Sequence, residues 1–141
     1  MKIILDSIIS KDLKDHLLSQ KGITNVDINI DGYFIEFNIK YTEPMTPFII
    51  LKEIDLYEKY EVPNLFEFDK ETPGDFKTLK YVVKDMCCEY CYKGLVTDLF
   101  NNKNIKSVKS NFEYDKPAFN IEFIVEYNNL SEEEVIKLFK Y

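Results

Sequence analysis

Apolar positions alternate with polar ones along some stretches of this chain and recur at helical spacing along others, and the two periods take turns. Ile3–Ile8 and Leu79–Met86 are apolar runs of strand length. A helical stretch follows each. In the first, Leu13 and Leu17 share a face behind a capping Ser10, with Gly22 just past the end. In the second, Leu95, Val96, Leu99 and Phe100 form a stripe one helical turn apart. Strands are predicted over Val26–Ile30 and Tyr33–Tyr41, joined by a hairpin turn at Asp31-Gly32. The matching pair downstream is Val108–Phe112 and Phe119–Tyr127, joined by a longer turn at Asp115-Lys116-Pro117. Phe119, Ile121, Phe123 and Val125 alternate with other residues, so one face of that sheet is buried. A second helix then closes each stretch. Thr46 caps Phe48–Tyr57 with Pro47 at the first helical position, and Ser131-Glu132-Glu133-Glu134 forms a capping box ahead of Val135–Phe139.

The pattern occurs twice because the sequence does. Leu17–Val26 aligns with Leu99–Val108 at an offset of 82, with four of ten positions identical. Tyr33–Tyr41 aligns with Phe119–Tyr127 at an offset of 86, with four of nine identical, and the change of offset falls between the two windows. The order βαββα, repeated, predicts an α+β protein of two tandem ferredoxin-like βαββα(β) modules with antiparallel sheets. The modules span 1–64 and 76–141, with 65–75 as a linker or shared strand. Leu65–Phe68 is the one spare strand. It either completes the first module or folds back on Lys77–Val83 to fill the vacant edge of the second, and a place between the modules is favoured. An edge left uncovered there predicts pairing with a second copy of the chain.

Charge and composition narrow the function. Acidic residues outnumber basic ones 25 to 18, for a net charge of −7, and every basic residue is Lys. A polyanion-binding surface needs a basic footprint, so nucleic acid is excluded as a partner. No run approaches the roughly 18–20 apolar residues that cross a bilayer, and Asp6 interrupts the apolar N-terminal run, so membrane insertion is not expected and a cytoplasmic location is. The chain lacks a Ser-His-Asp set, a Gly-rich phosphate loop and an H-E-x-x-H motif, which argues for a binding protein rather than an enzyme.

The chemistry concentrates in Met86-Cys87-Cys88-Glu89-Tyr90-Cys91, which holds all three cysteines. A secreted disulfide framework would spread them through the fold, whereas clustered thiols point to metal or redox chemistry. Cys88 and Cys91 are spaced C-x-x-C at a predicted helix start. That spacing puts two sulfurs on one lip, where free N–H groups and the helix dipole favour thiolates. Two thiolates suit Cu(I), with Zn(II), Hg(II), Cd(II) and Ag(I) as other thiophilic ions, and disfavour Mg and Ca. A tetrahedral zinc site would need two more ligands. Cys87 is a candidate third ligand, and His16, the sole histidine, lies far off in the first module. A dithiol redox loop uses the same spacing but normally follows a strand and a helix and faces a cis-proline, for which only Pro117 is available.

Met-x-Cys-x-x-Cys after an apolar strand and before an amphipathic helix, within a βαββα order, resembles the heavy-metal-associated domain. That family includes copper metallochaperones and the N-terminal modules of metal-transporting P-type ATPases. The resemblance covers Leu79–Tyr141. It implies Cys88 and Cys91 as metal ligands, Met86 packed beneath the loop, and Tyr141 near the position beside the metal. It also implies a metal-transporting ATPase or a similar metal-binding domain as partner. The chain departs from the family at Asp85, where the family has Gly, and at Cys87, where Thr is usual. The first module's equivalent loop, Asp6-Ser7-Ile8-Ile9-Ser10, has no cysteine and reads as a degenerate copy. A metallochaperone or sequestration role follows from the resemblance, against the alternative of an interaction and assembly module that keeps a metal-domain fold.

Overall fold

A computed structural model of the protein describes residues 1–6, 12–58, 65–71, 74–86, 89–113 and 119–139. Its strands are β1 (Lys2–Asp6), β2 (Ile23–Asp31), β3 (Phe34–Tyr41), β4 (Leu65–Asp69), β5 (Lys77–Asp85), β6 (Ile105–Ser110) and β7 (Phe119–Tyr127). Its helices are α1 (Leu13–Leu18), α2 (Pro47–Glu58), α3 (Glu89–Phe100) and α4 (Glu132–Lys137). The mixture is α+β, as the alternating periods imply.

Local chemistry sets the element ends. Gly32, at φ +57°, makes the hairpin turn between β2 and β3, and Thr46 Oγ1 accepts from the Ile49 N–H at the start of α2. Ser131 and Glu134 cap α4 reciprocally, each side chain bonded to the other's backbone N–H at 3.1 Å. Gly22, at φ +98°, lies so close to the Thr42 carbonyl that a Cβ there would sit 2.7 Å from its oxygen. Ser10 falls outside the described residues, and α1 begins after Asp12 without a side-chain cap bond.

All seven strands join one antiparallel sheet in the order β2-β3-β1-β4-β6-β7-β5. Residue pairing puts Ile3, Leu5, Ile35, Phe37, Ile39, Val26, Phe68, Val108, Val125, Phe123, Ile121 and Leu79 on one face across its width. All twelve are buried and belong to a single core with Leu13 and Leu17 of α1, Ile50 and Ile54 of α2, Leu95 and Leu99 of α3, and Val135 of α4. The opposite face carries Lys2, Glu36, Asn38, Glu67, Lys109, Glu122 and Glu126, as period-two alternation requires.

One expectation is corrected here and one open choice is resolved. Of the placements left open for Leu65–Phe68, β4 takes the favoured one between the two halves and not the fold-back on Lys77–Val83. It pairs with β1 on one side and with β6 on the other. Phe68 then stands opposite both Ile3 and Val108, three fully buried side chains abreast, a match that the Lys-rich β5 cannot offer. β6 runs Ile105–Ser110 rather than Val108–Phe112, because Ile105 is fully buried opposite Tyr127 and draws the strand start back by a turn.

Directly after β4, Lys70 enters the core. Its side chain is buried, and Nζ donates to the carbonyls of Phe100 and Asn102 at 2.8 Å each, capping the C-terminal end of α3. The rings of Phe48, Phe68 and Phe100 surround the ammonium at 5.0, 5.5 and 5.3 Å. Burial nevertheless lowers its pKa from 10.5 to about 8. The folded chain therefore holds fewer protons than the unfolded one between those values, and this group's contribution to stability rises as pH increases from about 8 to 10.5. Urea unfolding of the parent minus that of Lys70→Met should show this rise across pH 8–10. A difference that stays flat or falls would remove the argument.

Candidate metal centre

The cysteine motif straddles the start of α3. Met86, after the last residue of β5, is buried, and Asp85, which ends β5 opposite Phe119, is exposed. Cys91 lies in the first turn of α3, half-buried, and is disulfide-bonded. Cys87, Cys88 and Tyr141 lie outside the described residues. The disulfide is the oxidised form of a dithiol, so thiolate ligation by Cys91 first requires reduction. Among the described residues no three His, Cys, Asp or Glu side chains stand together as an ion-binding set. His16 is engaged elsewhere: Nε2 lies 3.2 Å from Glu53 Oε2, and the ring stacks on Tyr57 of α2 with centroids 4.2 Å apart.

Two residues that immediately follow Cys91 hold the helix start. Tyr92 is fully buried, its hydroxyl donating to the Phe66 carbonyl at 2.8 Å and pairing with Ser110 Oγ. It bridges β4 and β6 where their ladder has ended, and its ring stacks on Phe112 at 4.2 Å and Phe123 at 5.6 Å. Burial pushes the phenol pKa well above 10, so it stays a neutral donor. Lys93, only 3% exposed, reaches Asp6 Oδ2 at 3.3 Å, and Asp6 is 5% exposed. The Lys93 ammonium also lies 4.8 Å from the centre of the exposed Tyr90 ring and 5.6 Å from that of Phe66.

Asp6 is the residue that opens the cysteine-free loop of the first half, by the repeat the counterpart of the cysteine loop in the second. The two loops are therefore tied at their bases by a buried charge pair across 87 residues of chain. Sequence reasoning identified the cysteines but missed Tyr92, Lys93 and Lys70. The available signal was Lys93 beside the apolar stripe Tyr92, Leu95, Val96, Leu99, where a solvated lysine is not expected.

A cavity of about 180 Å³ opens beside this first turn, lined among others by Phe34, Phe66, Tyr92, Glu36, Glu67 and Ser110. Glu67 accepts from the Ser110 N–H at 3.3 Å, and burial raises its pKa. Its oxygen donors are hard and contribute nothing to a thiophilic site.

The buried pair sets a measurable expectation. Asp6→Ala deprives a buried ammonium of its counter-charge and should cost about 3–5 kcal/mol in denaturant unfolding. Asp6→Ala combined with Lys93→Met should recover much of that loss. Equal costs for the single and double variants would show that the pair does not couple the two loops.

No protein-family model matches the chain, and no curated protein matches it. Among solved structures, the N-terminal soluble domains of Bacillus subtilis CopA align over 99% of this chain and 86% of that one, at 13% identity and a TM-score of 0.36. At that score two chains need not share a fold.

Proposed function

We propose that the protein binds a soft metal ion through Cys88 and Cys91, with Cu(I) the best match and Zn, Hg, Cd and Ag as competitors, and that it sequesters the ion or hands it on as a metallochaperone. The observation that carries this reading is the disulfide at Cys91. Reduction of that bond frees a thiolate at the first turn of α3, and the C-x-x-C spacing of Cys88 and Cys91 in the sequence supplies the second donor of a two-thiolate pair. Thiolates there are favoured by the helix dipole, and the buried Met86 and Tyr92 give the loop a rigid base. Cys91 is half-buried, so a partner's thiolate has an approach for ligand exchange. The strand order supports reading the chain as two ferredoxin-like modules. β4-β1-β3-β2 matches the full set, and β5-β7-β6 matches three strands of it, with no fourth among the described residues.

In this reading the role is binding, not catalysis. A metal-transporting ATPase or another dithiolate domain is the proposed exchange partner, in a reducing compartment such as the cytoplasm. No described helix is long and apolar enough to cross a membrane. The first module has no site of its own and serves as a support. Cys87 is adjacent to Cys88 and is assigned no more than an auxiliary ligand position, with Asp85 and Tyr141 as neighbours of the loop.

The same disulfide favours a second reading, reversible thiol–disulfide exchange. The two part on one experiment. Reduced protein titrated anaerobically with Cu(I) against a chromogenic chelator should take up about one equivalent. Cys88→Ser and Cys91→Ser should each abolish high-affinity uptake, while Cys87→Ser should change it little. Uptake by the Cys88→Ser/Cys91→Ser variant equal to that of the parent would sink the metal reading, and dithiol-dependent reductase turnover without metal uptake would establish the second.

A further inference from the structure

We propose that the free edge of β5 pairs antiparallel with the same edge of a second copy of this chain, about a two-fold axis passing through Tyr81. β5 is nine residues long and pairs with β7 along its whole length, from Lys77 opposite Tyr127 to Asp85 opposite Phe119. Among the described residues no strand lies on its other side. Backbone N–H and C=O groups of alternate residues therefore point outward along about 30 Å of edge, a template for a further strand.

The side chains choose the occupant and the alignment. Leu79, Tyr81 and Val83 share the face that meets the core, while Thr78, Lys80, Val82 and Lys84 share the other. A two-fold axis normal to the sheet keeps each face with its like. With the axis at Tyr81, Leu79 of one copy lies opposite Val83 of the other, and Lys77 lies opposite Asp85, each pair occurring twice. Lys80 lies opposite Val82, which is 47% exposed and gains cover from the lysine stem. Moving the axis by one residue destroys this. At Lys80 that lysine faces itself, and at Val82 the Lys80–Lys84 like-charge contact appears twice. The edge lysines thus exclude the neighbouring alignments and leave one that is complementary in both charge and shape.

The opposite edge of the sheet makes the contrast. β2 carries Asp27 and Asp31 and no cation, so no alignment of β2 with itself makes an opposite-charge pair. Extension by translation would set β5 parallel to β2 of the next copy and build an open fibre rather than a closed dimer.

Sedimentation velocity of the full chain in reductant tests this. The parent should run as a dimer of twice 16.7 kDa at micromolar concentration. Lys77→Asp or Asp85→Lys alone sets like charges opposite each other twice and should weaken the dimer by about tenfold or more. The Lys77→Asp/Asp85→Lys double swap restores opposite charges and should return the affinity to near the parent value, which also shows that loss in the single variants is not misfolding. Four results would overturn the proposal: a monomer at 100 µM or above, roughly the concentration at which weak dimers still form; single variants as tight as the parent; a double swap no tighter than the singles; or a dimer that dissociates with Asp27→Lys.

Discussion

Two residue pairs, Phe68 with Val108 and Asp69 with Ser107, make the entire ladder between β4 and β6, yet through it the sheet runs unbroken from one half of the chain to the other. So short a ladder cannot fix alignment alone, and side chains do the rest. Lys106 Nζ reaches Asp69 at 3.1 Å, and Lys106's carbonyl accepts from the Lys70 N–H at 2.9 Å. Lys70 reaches the end of α3, Lys93 reaches back to Asp6, and Tyr92 ties Phe66 to Ser110. Three lysines, two of them buried, thus cross one seam. Each would lose its partners if the strands slipped by even one residue. Buried charge adds little net stability, but it makes wrong dockings costly, and that cost sets the geometry here.

That geometry bears on the cysteine helix. α3 is gripped at both ends by groups from the first half: Asp6 and the Phe66 carbonyl act on its first turn, and Lys70 on its last carbonyls. On the proposed reading, a loop that presents two sulfurs at a fixed separation needs a base that does not shift, and the cysteine-free half supplies part of it. That half then acts on the cysteine helix through charge and hydrogen bonds rather than through ligands.

Much of this was legible in the order of residues. Period-two alternation places β7 and its buried face at Ile121, Phe123 and Val125, although Phe119, counted on that face, is exposed at the strand start; the Asp31-Gly32 turn, the Thr46-Pro47 start and the Ser131–Glu134 box all fall where local chemistry demands them. These signals are short-range, and sequence displays them directly. The partners of β4 were not legible, because Leu65–Phe68 is apolar enough to suit several neighbours and only the three-abreast packing of Ile3, Phe68 and Val108 decides among them. The Lys93–Asp6 and Lys70–carbonyl contacts were hidden for the same reason: their partners lie 87, 30 and 32 residues away. The cysteine spacing was visible, but the support of its helix was not, since a lysine beside an apolar stripe carries no mark of what will neutralise it.

The strand edge that is unpaired among the described residues leads directly into the cysteine loop, because β5 runs into Met86 and the motif. This constrains how assembly and metal binding can relate. In an antiparallel pair centred on Tyr81, the two β5 strands run in opposite directions, and their Asp85 ends sit about 25–30 Å apart at 3.3 Å per residue. The two cysteine loops then face opposite ends of the joined sheet. They are too distant to share an ion, whose thiolate ligands must lie within a few ångströms of one another. On the proposed metal-binding reading, pairing through β5 would then give two separate sites rather than one shared between the copies. On the proposed reading, the edge by which two copies join is therefore separate from the cysteine loop that follows it in the chain.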